Sequence, residues 1–86
     1  MDSKPISERH PVVIGTPAEA RRWAEANGRS LPNITVADRV RRLIGRSGPD
    51  THLIIMPSYW TMPDHFLRRV EVQMLQAEGA TVQWED

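Results

Sequence analysis

The 86 residues include 11 basic and 11 acidic side chains, for a formal net charge of zero, with 40% hydrophobic and 26% charged residues and no cysteine. A chain of this length has room for one small domain with a thin margin of stability, which pairing with a second copy commonly improves. The balanced charge argues against a protein that works mainly by holding nucleic acid or an anionic membrane surface, and the absence of cysteine excludes disulfides, thiolate metal sites and cysteine nucleophiles.

The first ten residues, MDSKPISERH, are polar and aperiodic, and are expected to form a flexible arm. They lack the apolar stretch of a signal peptide. No run anywhere approaches the ~20 apolar residues that span a bilayer, so a cytoplasmic protein without a membrane partner is expected. One α/β domain is expected over residues 11–86. Val12, Val13 and Ile14 form a short apolar run ended by Gly15, the pattern of a strand buried on both faces. Thr16 then suits a helix N-cap, Pro17 the first helical position and Glu19 the third place of a capping box. Ala20, Trp23, Ala24 and Asn27 share one face of that helix, and Gly28 is its expected stop.

The stretch from Asn33 to about Ile44 can be read in two ways. A strand at Asn33 to Ala37 with a helix capped by Asp38 is preferred, because Ile34, Thr35 and Val36 are β-branched. The alternative is a single helix capped by Thr35. Gly45, Gly48 and Pro49 end it in either case. Leu53 to Met56 reads as a second clear strand. A third helix is expected from about Met62 to Glu78, with Thr61 as N-cap and with Phe66, Leu67, Val70, Met74, Leu75 and Ala77 as a wide apolar face. Gly79 stops it, and Ala80, Val82 and Trp84 alternate in a final short strand. The order β-α-(β)-α-β-α-β implies a small three-layer, Rossmann-like α/β sandwich on a parallel sheet of three or four strands.

Ligands of open parallel sheets usually bind outside the carboxyl ends of the strands. Gly15 and Thr16, Asp38, and the stretch from Pro57 to His65 should meet there. Gly15, Thr16 and Asp38 are therefore anion or nucleotide candidates, on the grounds that helix N-termini favour anions. VIGTPAE has neither the dinucleotide glycine fingerprint nor a P-loop, however, and capping alone explains Thr16 and Glu19. Ser58, Tyr59, Trp60 and His65 are the binding or interface candidates. Tyr59 and Trp60 suit either a flat ligand or a protein contact, and in so small a chain an interface or core cover is favoured. His65 follows Asp64 directly, and neighbours on a helix do not face each other. His10, His52 and His65 have no spacing that suits a metal, so neither a metal nor a cofactor is expected. Arg39, Arg41, Arg42 and Arg46 could contact phosphate or an acidic partner, but they point around a helix rather than along one stripe.

Two resemblances follow from these stretches. VVIGTPAEARRWAEANG, followed by a short strand, a short helix, LIIMPSYW and a last helix, resembles small α/β proteins of actinobacterial phages. The likeness covers about residues 11–86 and implies a stripped nucleotide-binding fold and a viral accessory role. Pro57, Trp60 and Glu71 are similar in placement to a proline, an aromatic and a catalytic glutamate in nucleoside deoxyribosyltransferase-like proteins. The aromatic-to-glutamate spacing departs from that pattern, so no catalytic residue is assigned. The expected function is a non-catalytic interaction module that pairs with itself, most simply as a dimer, or with a host or phage protein. A small nucleotide- or nucleoside-handling enzyme using the same sheet end is the first alternative. A nucleic-acid binder acting through Arg39 to Arg46 is the second.

Overall fold

The computed structural model describes residues 5–37, 48–61 and 65–85, with backbone alone for residues 65–68. Four strands, β1 (His10–Ile14), β2 (Thr35–Ala37), β3 (Thr51–Ile55) and β4 (Thr81–Trp84), form one sheet in the order β2-β1-β3-β4. Every pairing in it is parallel. Helix α1 (Pro17–Ala26) connects β1 to β2, and α2 (His65–Ala77) connects β3 to β4. The α/β architecture expected from the sequence is the observed one.

The layers follow from the strand order. The step from β1 to β2 runs one way across the sheet and the step from β3 to β4 runs the other way. Crossovers of a single hand then place their helices on opposite faces. Two core clusters show this arrangement. Val13, Ala20, Trp23, Ala24, Ile34, Ile54 and Met56 pack on the α1 side. Val12, Ile14, Ala37, Leu53, Ile55, Tyr59, Val72, Leu75 and Ala80 pack on the α2 side. Successive side chains of a strand point to opposite faces, so the unbroken apolar runs of β1 and β3 feed both layers. Each such fully buried aliphatic side chain contributes about 1.5–3 kcal/mol, which is why these two strands hold the centre. No helix among the described residues is long and apolar enough to cross a membrane.

The local signals explain the first helix. Thr16 Oγ1 accepts from the Glu19 backbone N–H at 3.2 Å, and Glu19 Oε1 accepts from the Thr16 N–H at 2.9 Å, so the expected capping box is complete. Gly28 has φ 65, the left-handed geometry that ends helices without a Cβ penalty.

Two expectations need correction. Residues 6–8 form a 3-10 turn, and His10 already belongs to β1, so the fold begins before residue 11. Arg9 is buried, and its Nη1 donates to the carbonyls of Thr51 (3.3 Å) and Gly79 (2.7 Å). Its charge suggests a solvated arm, but its reach lets it bind two carbonyls at the sheet's amino end. Second, the apolar face of α2 is misassigned. Val72 and Leu75 enter the core, whereas Val70 and Met74 are more than half exposed. The helix is apolar on two sides, and the sequence pattern merged them. Residues 57–61 form a 3-10 turn, and the Thr61 hydroxyl donates back to the Ser58 carbonyl at 2.9 Å; residues 62–64, where the expected cap would act, lie outside the described residues. The short strand preferred at Asn33 to Ala37 exists over Thr35–Ala37. The helix expected after it lies outside the described residues.

Candidate functional site

The register puts the carboxyl ends of all four strands in one row, with Ile14 beside Ala37 and Ile55, and Ile55 beside Trp84. The strand order reverses between β1 and β3, and open α/β sheets usually take ligands at such a point. Here two of the described turns are tied together through Glu19. Glu19 is buried, only 7% exposed. Ser58 Oγ donates to its Oε1 at 2.5 Å and the Ser58 N–H donates to its Oε2 at 3.3 Å. With the N–H and hydroxyl of Thr16, at 2.9 and 3.3 Å from Oε1, the carboxylate accepts four hydrogen bonds. Gly15 lies directly beneath. A Cβ there would stand 2.6 Å from Glu19 Oε1 and 2.7 Å from Met56 Cβ.

The electrostatics follow. Burial by itself would raise the Glu19 pKa, but the hydrogen bonds from Ser58 and Thr16 outweigh it and hold the carboxyl below its ordinary value of 4.5. Glu19 is thus a fixed anion at the N-terminus of α1, a weak base already committed to four donors. It occupies the place that an incoming phosphate would need, and it would repel one.

A second arrangement lies to the side, over the ends of β3 and β4. Tyr59 is fully buried, while Trp60 and Trp84 are 59% and 56% exposed. The two indoles are stacked, with centroids 5.7 Å apart and planes within 16°. Tyr59 meets each of them edge-on, at 5.0 and 6.1 Å. Edge-to-face contact of this kind is a favourable aromatic geometry, so the buried ring anchors the two exposed ones. Beside them is a groove of about 350 Å³ lined by Tyr59, Trp60, Trp84 and, from α2, Arg69, Val72, Gln73 and Gln76.

The sequence candidates therefore separate. Trp60 is at the surface, Tyr59 is its support, and Ser58 is tied to Glu19. Of His65 only the helical backbone is described. Gly15 and Thr16 lie against the Glu19 carboxylate. Asp38, Arg39, Arg41, Arg42 and Arg46 lie outside the described residues. Glu71 is half-buried on α2 and does not line the groove.

Trp84, marked in the sequence as part of the last strand, is exposed. It ends β4, the strand at one edge of the sheet, so only one side of its ring meets protein. The available signal was topological: a β3-α2-β4 unit sets its two strands side by side, which brings Trp60 and Trp84 to the same corner. The Glu19–Ser58 tie spans 39 residues, and no local pattern marks it.

His52 is buried within the sheet. Its Nδ1 is 2.6 Å from Thr81 Oγ1 and its Nε2 is 3.0 Å from Gln83 Oε1. A neutral ring that accepts at Nδ1 and donates at Nε2 satisfies both contacts, so His52 joins β3 to β4. Among the described residues, no group of three or more His, Asp or Glu is placed to hold a metal ion.

No protein family, no curated protein and no solved structure matches the chain.

Proposed function

We propose that the protein is a non-catalytic interaction module whose working surface is the aromatic shelf of Trp60 and Trp84. The observation that carries this reading is the pair of stacked indoles, each more than half exposed and both held by buried Tyr59. Unsupported tryptophans at a surface leave apolar area in water, and tryptophan and arginine are the residues that most often dominate binding energy at protein interfaces. Arg69 stands in the same groove. The Glu19 carboxylate at this sheet end, an anion beside any incoming phosphate, weighs against the nucleotide-handling alternative. The pattern-level likeness to small phage α/β proteins is consistent with an accessory role of this kind.

Selection of peptides from a random display library against the immobilised protein tests the reading. Enriched peptides should share an apolar or aromatic anchor. Trp60→Ala and Trp84→Ala should each weaken their binding by about 30-fold or more, the loss typical of a hot-spot residue. Peptides that bind both variants as well as the wild type would sink it.

The self-associating part of the proposal rests on α2. Val70 and Met74, one helical turn apart, are 52% and 59% exposed, a stripe through which a second copy could pack. Sedimentation over a range of concentrations should show a dimer that Met74→Glu dissociates. A wild type that stays monomeric, or a dimer indifferent to Met74→Glu, removes this part.

A further inference from the structure

The chemistry of the groove narrows the kind of partner, given that the shelf is the working surface. Among the described residues, its lining has three aromatic rings, one valine, two side-chain amides and one charged group, the exposed Arg69. No carboxylate among those described lining residues offsets that guanidinium, so this part of the groove favours an anionic occupant. Its volume of about 350 Å³ is at the low end for small-ligand sites, enough for one large side chain and the backbone around it. A planar guanidinium presents a fork of donors that matches a carboxylate in two parallel hydrogen bonds. Gln73 and Gln76 each offer both a donor and an acceptor, the pair of functions an extended peptide backbone needs.

Phosphate fits less well. Among the described residues the groove provides one cation, fewer than the clusters that usually hold a phosphate. We propose that the groove takes an acidic segment of a partner protein, with an apolar or aromatic side chain against Trp60 and Trp84 and a neighbouring carboxylate on Arg69.

Two synthetic peptides with the same phenylalanine anchor, one flanked by aspartate and glutamate and one by lysine, test this by titration against tryptophan fluorescence and by calorimetry. The wild type should prefer the acidic peptide by about five- to tenfold at low salt, the scale of one partly exposed ion pair, and added salt should narrow the difference. Arg69→Glu should reverse the preference, and because Arg69 is exposed the variant should melt like the wild type. Trp60→Ala should weaken both peptides together.

Equal binding of the two peptides by the wild type, or a preference that survives Arg69→Glu, overturns the acidic-segment proposal while leaving the shelf in place. Peptides that bind Trp60→Ala undiminished overturn the shelf itself. An acidic peptide that fails to bind the wild type even at millimolar concentration overturns the proposal.

Discussion

Glu19→Ala is expected to destabilise the protein by about 2–4 kcal/mol at neutral pH, the combined scale of a lost helix cap and of charged hydrogen bonds to buried donors. For a domain of this size that corresponds to a fall in Tm of about 10–25 °C. The loss is large because one side chain does two jobs. It completes the capping box of α1, and it ties the turn after β3 to the turn after β1 through Ser58. Removing it leaves the Ser58 N–H and hydroxyl without their acceptor.

The effect should depend on pH with a definite sign. The folded carboxyl lies below 4.5, so the unfolded chain takes up its proton first as acid is added. The contribution of Glu19 is therefore whole above the unfolded value and is lost as pH falls through the lower folded value. Urea midpoints of the wild type and Glu19→Gln should be well separated at neutral pH and should approach one another as the pH falls below the ordinary carboxylate value and Glu19 takes up its proton. A separation that stays constant across that range would show that the charge of Glu19 contributes nothing.

Gly48→Ala is expected to cost about 3 kcal/mol or more, at the upper end of what overpacking a tight site costs. A Cβ at this position would stand 2.7 Å from the carbonyl carbon, the carbonyl oxygen and the Cβ of Glu78. Those are backbone atoms and the first side-chain atom, which cannot swing aside as a flexible chain end can. The contact joins the turn entering β3 to the exit from α2, where the Gly79 carbonyl also receives Arg9. Gly28→Ala is the natural comparison. Gly28 has φ 65 and nothing within 4 Å of its added Cβ, so only backbone strain of about 1–2 kcal/mol opposes the substitution. Thermal melts should rank Gly48→Ala well below Gly28→Ala. The reverse order would mean that the approach of Gly48 to Glu78 is looser in solution.

The sequence carried the fold well wherever structure is decided locally. Val12 to Ile14 and Leu53 to Ile55 are apolar runs that only doubly covered strands explain, and Thr16, Pro17 and Glu19 signal a helix start by short-range hydrogen bonding. The shelf was half legible. Trp60 stood out because a strand end is a plausible place for a ligand, but its partner Trp84 is 24 positions further along the chain and joins it only through the pairing of β3 with β4. The Glu19–Ser58 tie was not legible. Glu19 already had a sufficient local role as a cap, and a residue with one explanation does not advertise a second. Arg9 and the split face of α2 escaped for a related reason: charge and hydrophobicity are properties of the residue, whereas burial depends on which neighbours the topology supplies.

The strand order also bears on how the chain finds its structure. The two central strands, His10–Ile14 and Thr51–Ile55, pair residue for residue across about forty positions, and no hairpin shortens the search. Each parallel pairing must close a long loop before its contacts repay the lost entropy, which puts this domain among the slower-folding topologies for its length. During synthesis β1 can meet β2 but not β3 until residues 51–55 have left the ribosome, so the apolar run Val12-Val13-Ile14 waits without its central neighbour while the intervening chain is made. That interval is when the chain is most exposed to aggregation and when a chaperone would matter most.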